Sequence, residues 1–364
     1  MQLNLWQQLR AQRQPIVGLS PMDGVSDFPF REISKKYGQM DVVFSEFANV
    51  EGICHSRNPH ILRHFDFTAT QRPFIAQIYG KTPDYFRQSA ILLCELGVDG
   101  IDINMGCPAK TVAANGSGAA LIDNPELAQQ IVLAVQQGIR EWQGGATLSD
   151  CSNLYPAMQR ALYQQRARFN LPEPTRRALP VSVKTRIGTQ FEKIAEWLPH
   201  LLELGIDALT LHGRTLKQSY SGFADWEVIG RAAALVKAES PQTIFLGNGD
   251  VQTFEQAAAK HRDYGVDGVL IGRASFGNPF VFLPAAARQQ AQAQHNIFAV
   301  ALEHARLYEA TYMQGEQPSL FFPMRKHLAW YTKGIPQAAT IRSELVRCHN
   351  SEQVAAVLHK FALL

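Results

Sequence analysis

The chain lacks any long hydrophobic run. No stretch approaches the roughly 20 apolar residues that a membrane-spanning helix needs. The opening MQLNLWQQLRAQRQP also lacks the apolar core and cleavage site of a secretory signal. Cysteine is scarce too. Cys54, Cys94, Cys107, Cys151 and Cys348 are odd in number, scattered, and include no CxxC pair. That argues against a disulfide framework and a zinc site, so no metal is expected and a reducing, cytoplasmic setting is. A strong charge of one sign is missing as well, the net value being +3. The small excess is nevertheless localised. Residues 285–364 hold 8 Lys+Arg and 5 Asp+Glu, so the preceding 284 residues carry 27 of each and are neutral. An anionic partner is therefore to be sought at the tail.

Apolar residues make up 46% of the chain and charged residues 18%, which excludes disorder and implies a large core. Eight short apolar runs recur, at 16–20, 41–47, 73–80, 98–106, 181–188, 206–213, 243–250 and from Val266 onward. Most are followed by segments with apolar residues at helical spacing. Gly97, Gly205 and Gly265 each stand just before a strand, where a left-handed helix stop belongs. Asn124-Pro125-Glu126 reads as a helix start, and Thr253 with Gln256 as a capping box. Strand and helix alternating in this way imply parallel strands with helical crossovers. A count of eight predicts a closed (β/α)8 TIM barrel over residues 1–284. The stretch 143–178 breaks the rhythm and reads as a peripheral helical insertion, at the end of the barrel away from its site. From residue 285 the alternation stops, and four helical patterns predict a helical domain over 285–364. The last of these helices would be capped by Asn350 or Ser351.

In such a barrel, polar side chains at the carboxyl ends of the strands converge on one mouth. The runs end in Ser20-Pro21-Met22-Asp23-Gly24, Glu46, Gln77 and Asn104-Met105-Gly106-Cys107-Pro108. The later ones bring Lys184 and Arg186, His212 and Arg214, Asn248-Gly249-Asp250, and Gly272-Arg273. A lone cysteine in an apolar chain is usually packing, as Cys94 on a helical face would be. Cys107 differs, because it lies just beyond a strand, in a loop running on through Gly118 and long enough to close over a ligand. There its thiol could serve as an acid or as a nucleophile. Lys184 and Arg186 share one face of their strand. A lysine pointing inward calls for an anion or an electron-rich ring. Glycines after the last two strands let backbone approach a phosphate, with Arg273 as a bidentate partner. The set suits flavin mononucleotide (FMN): a phosphate clamp, Lys184 at the N1/O2 edge of the reduced ring, and Gln77 at its pyrimidine edge.

With these motifs the sequence resembles the bacterial tRNA-dihydrouridine synthases. The likeness rests on Pro21-Met22-Asp23-Gly24-Val25, the run Asp102 to Lys110, Val183-Lys184-Thr185-Arg186 and His212-Gly213-Arg214-Thr215. It extends through Asn248-Gly249-Asp250, Ile271-Gly272-Arg273-Ala274 and the tail segment Arg325 to Tyr331. The resemblance implies reduction of the C5–C6 double bond of a tRNA uridine, with hydride from reduced FMN and a proton from Cys107. It assigns Pro21, Met22, Asp23, Gln77, Lys184, His212, Asn248, Gly249, Asp250, Gly272 and Arg273 to the flavin. Asn104 and Arg186 would hold the uracil. It further implies NADPH as reductant, a monomer, a tail that grips tRNA, and extrusion of the target base onto the flavin. Two other readings share part of this evidence. One is an FMN barrel acting on a free small molecule, such as a dihydroorotate dehydrogenase or an enoate reductase, which would leave the basic tail without a purpose. The other is a flavin-stabilised tRNA-binding factor without chemistry.

Overall fold

A computed structural model describes residues 3–12, 15–314 and 318–364. Each of the eight apolar runs supplies one strand. These are β1 (Ile16–Leu19), β2 (Val42–Asn49), β3 (Phe74–Tyr79), β4 (Gly100–Met105), β5 (Val181–Arg186), β6 (Ala208–His212), β7 (Ile244–Asn248) and β8 (Gly268–Ile271). They pair in chain order, all parallel, and β8 closes onto β1 from Ile16↔Gly268 to Leu19↔Ile271. The expected closed barrel is therefore the observed one.

The helices before and around the barrel are α1 (Leu5–Gln12), α2 (Phe28–Gly38), α3 (Val50–His55), α4 (Pro83–Leu96), α5 (Lys110–Ala114) and α6 (Pro125–Gln143). They continue with α7 (Pro156–Arg168), α8 (Ile194–Leu202), α9 (Trp226–Glu239) and α10 (Phe254–Tyr264). Gly97 and Gly265 end α4 and α10, and Gly205 follows α8, with φ of 85°, 67° and 64°. The side chain of Asn124 caps α6 through the Leu127 N–H at 3.2 Å. Thr253 caps α10 as expected, but Gln256 turns its amide oxygen to the Gln252 N–H instead of completing a box.

Helix α1 closes the barrel floor. Trp6 is fully buried among Ile16, Phe44, Ile75, Ile244 and Leu270, residues drawn from five strands, with its ring 6.1 Å from that of Phe44. No other side chain could fill that volume without leaving a cavity. Trp6→Ala is expected to cost about 3–5 kcal/mol of stability, read as a lower urea midpoint with an unchanged slope.

The insertion is more embedded than the peripheral position expected for it. Between β2 and β3 the chain forms only α3 and two short 3₁₀ turns, which leaves an apolar flank. Helix α7 covers it, burying Met158 and Leu162, while Gln165 Nε2 donates to the Leu62 carbonyl at 2.9 Å and to Asp66 Oδ1 at 2.8 Å. Beyond it, Arg168 donates to the Thr311 carbonyl, and the Phe169 ring lies 5.0 Å from that of Phe28. The insertion thus ties the barrel to the tail.

The tail comprises α11 (Ala285–Gln294), α12 (Ile297–Tyr312), α13 (Phe322–Tyr331), α14 (Ala338–Leu345) and α15 (Ser351–Lys360). Asn350 caps the last of them, accepting from the Gln353 N–H at 2.9 Å. Helices α12 to α15 share an apolar cluster into which Phe28 of α2 inserts. Helix α13 lies against the barrel mouth. Its Trp330 stacks on Phe276 at 4.0 Å, and Lys326 Nζ donates to the Gly24 carbonyl of the β1 loop.

Candidate active site

A cavity of about 600 Å³ opens at the carboxyl ends of the strands. It is lined by Pro21, Met22 and Asp23 from the β1 loop, Asn104 and Cys107 from β4, and Lys184 and Arg186 from β5. His212, Asn248, Gly249, Asp250, Gly272 and Arg273 complete the circle. Among the residues assigned from sequence to the flavin, the uracil or proton transfer, Gln77 alone is absent from this lining; Glu46, the polar residue of the second run, is absent as well.

Cys107 is 8% exposed, at the cavity wall. Burial is the main influence on its thiol and pushes its pKa up, against the opposing N–H of Ala109 and the charges of Arg186 and Lys184. A thiol held this way stays protonated at neutral pH, which suits an acid and not a nucleophile. The following loop is less open than expected, since it forms α5, and the Ala119 N–H returns to the Cys107 carbonyl at 3.3 Å.

Lys184 makes no ion pair or hydrogen bond among the described residues, and burial together with Arg186 lowers its pKa to about 8. An unpartnered ammonium facing a cavity is costly unless the cavity receives an anion. His212 is driven well below the usual histidine range, first by burial and then by Lys184, Arg186, Arg214 and Arg273. It is a neutral imidazole amid four cations.

Asp250, assigned to the flavin by resemblance, spends its carboxylate on protein. Its carboxylate accepts from Arg214 Nη2 at 2.7 Å, Arg273 Nη2 at 2.8 Å and the Ala224 N–H at 2.7 Å. A carboxylate would repel a phosphate. This one aims two guanidinium groups, so any anion here must meet backbone and arginine. The backbone is shaped for such an approach: Gly249 has φ 130° and Asp250 φ 55°, and a Cβ at 249 would collide with Ala224 and meet the His212 ring at 3.2 Å.

Gln77 lies deeper than the other residues assigned to the flavin. It is fully buried, with Nε2 donating to Asp102 Oδ2 at 2.6 Å and Oε1 accepting from Asn104 Nδ2 at 3.0 Å. Asp102, to which the sequence pattern gave no role, thus takes its amide nitrogen, and the cavity residue Asn104 donates to its oxygen. Arg186 is also held by protein: Nε donates to the Gly106 carbonyl at 2.6 Å, and Nη1 to those of Thr215 and Ser219 at 3.1 and 3.2 Å. It joins the Cys107 loop to the loop after β6. Tyr220 of that loop, exposed and 6.0 Å from the Arg273 guanidinium, lines the cavity with no signal in the sequence pattern. Arg214 was visible as a polar residue at the mouth, but its partners were not.

The family model for dihydrouridine synthase (Dus) matches residues 18–141 and 171–363. The chain belongs to this family. The one internal stretch that the dihydrouridine synthase model skips, 142–170, contains α7. A probable tRNA-dihydrouridine synthase of Staphylococcus aureus (strain COL) is 30% identical over 365 residues, covering 99% of this chain and 96% of the relative. Probable tRNA-dihydrouridine synthase 2 of Bacillus subtilis (strain 168) is 30% identical over 360 residues, covering 98% and 96%. Among solved structures, a DHODH from Eimeria tenella in complex with ferulenol aligns with a TM-score of 0.47 and 14% identity, over 78% of this chain and 84% of that one. That likeness is too distant to support a functional argument.

Proposed function

We propose that the chain is an FMN-dependent oxidoreductase that reduces the C5–C6 bond of a uridine in tRNA, with Cys107 as the proton donor to C5. The observation that carries this reading is the convergence of a protonated thiol, an unpartnered lysine and a cationic, glycine-cradled corner on one cavity. The names of the full-length relatives point to the same activity.

The residues present fit FMN. The volume is in the range of small-molecule sites, and the corner at Gly249, Gly272 and Arg273 suits a phosphate. Pro21, Met22 and Asn248 line the space beside it. When bound and reduced, FMN supplies two electrons and one hydrogen for C6 of the uracil. Lys184 would set its ammonium against negative charge on the bound group and would keep its proton there. Neutral His212 offers a hydrogen bond without adding a fifth cation. Cys107 Sγ gives its proton to C5, which completes the reduction without a covalent bond to the enzyme. Asn104 and Arg186 act on the uracil chiefly by fixing the loop that carries Cys107.

The tail, with its net charge of +3, would hold the tRNA backbone. The five cysteines are free and buried, and no helix among the described residues is long and apolar enough to cross a membrane. A cytoplasmic monomer recharged by NADPH completes the proposal. Mass-spectrometric mapping of dihydrouridine in tRNA tests it. Deleting the gene is expected to remove the modification from at least one position, and reintroducing it to restore it. Unchanged maps in the deletion strain would overturn the reading.

A further inference from the structure

We infer that Asp102 is a positioning residue for Cys107, acting through Gln77 and Asn104. Strand register sets Gln77, Asp102 and Ser182 side by side across β3, β4 and β5. Asp102 is fully buried there, accepting from Ser182 Oγ on Oδ1 and from Gln77 Nε2 on Oδ2, each at 2.6 Å. An ionised carboxylate only accepts, so it obliges Gln77 to turn its nitrogen inward. The Gln77 oxygen is thereby left to face Asn104 and takes its Nδ2 at 3.0 Å. With its nitrogen committed, Asn104 presents Oδ1 to the loop. That oxygen accepts from the N–H of Gly106 at 3.0 Å and of Cys107 at 2.9 Å.

The two ends of an amide side chain have nearly the same shape, so packing alone does not choose between them. Turned over, Asn104 would oppose N–H to N–H, and the Cys107 loop would lose both anchors. One buried negative charge thus sets the direction of the hydrogen bonds between it and the thiol's backbone. Burial raises the Asp102 carboxyl to about 6, while Ser182, Gln77 and the charge of Lys184 pull the other way, so it is ionised at neutral pH. No sequence motif announces this role, because it depends on which end of each amide faces which neighbour.

The inference stands apart from the proposed reaction except in its activity arm, so the experiment reads both. Amide hydrogen exchange is measured at Gly106 and Cys107 in the full-length protein, together with kcat and KM for tRNA. Asp102→Asn keeps the size of the side chain but offers an N–H of its own, which frees Gln77 to lie either way. Exchange at both amides is expected to rise about tenfold, the loss of roughly one ordinary hydrogen bond. Turnover falls while KM for tRNA holds. Adding Gln77→Glu to Asp102→Asn moves the acceptor-only group one link along, and Asn104 is again obliged to show its oxygen to the loop. The double variant is expected to recover native exchange and most of the lost turnover. Native exchange in Asp102→Asn, or no recovery in the double variant, overturns the inference. Should Asp102→Asn not fold, the double variant decides alone, native exchange supporting the inference and raised exchange refuting it. Recovered exchange without any dihydrouridine formation, in the double variant and the native protein alike, upholds the positioning role and refutes the proposed reaction.

Discussion

Cys107→Ala is expected to lower dihydrouridine formation by about 10²–10⁴-fold, the range for removing a positioned general acid, while tRNA affinity and flavin content stay at native levels. The thiol sits at the wall of the cavity and is kept protonated chiefly by burial. Its removal is expected to leave the cationic corner and the tail intact, since both are built from other residues. Single-turnover assays with pre-reduced enzyme isolate the effect from reduction of the flavin. A variant that kept native turnover would return Cys107 to the status of a core residue. One that lost tRNA binding as well would mean that the loop, and not the proton, had been disturbed.

Lys184→Met is expected to act in two directions at once. Turnover falls by about 10²–10³-fold, the usual consequence of removing a preorganised charge from a developing anion. Stability of the flavin-free protein rises. The lysine's pKa is about 8 in the fold against 10.5 for the ordinary side chain, so below pH 8 the folded protein carries an ammonium that burial disfavours. The unfolded chain holds that proton more tightly, so the cost is greatest below pH 8 and fades as pH rises from about 8 to 10.5. The methionine variant, which has no such proton, should show its largest gain in thermal midpoint at neutral pH and none above about pH 10.5. Added FMN should narrow the gap, since an anion restores the value of the charge. Thermal melts with and without FMN, across pH 7 to 11, check all of this. A destabilised apo variant would contradict the account of Lys184 as an unpaired, functionally retained charge.

The strands and the mouth were legible because each strand is a short apolar run ending in a polar residue, a pattern that survives without knowledge of neighbours. Orientation within the mouth was not. Gln77 shares the phase of the other mouth residues, yet Asp102 on the next strand claims its amide. Asp250 stands in a turn whose glycine pointed to a backbone approach to phosphate, and nothing in that pattern showed that two arginines take its carboxylate. Both cases turn on pairwise contacts across strands, which a linear pattern does not encode. Helix α11 escaped notice for another reason: AAARQQAQAQ favours a helix but buries none of its residues, so it carries no apolar periodicity. The insertion's role depended on a gap in the ring of helices, left where the β2–β3 connection forms only α3 and two 3₁₀ turns.

Helix α13 belongs to the tail, yet it forms part of the rim of the mouth. Trp330 rests on Phe276, itself a cavity residue, and Lys326 is fastened to Gly24 beside Met22 and Asp23. Two ligands that share such a wall are not thermodynamically independent. If nucleic acid on the tail reseats α13, it alters the affinity of the barrel for its cofactor, and occupancy of the barrel alters the grip of the tail by the same factor. Trp330 stands at the seam between the two and offers an intrinsic fluorophore that reports on both sides of that exchange.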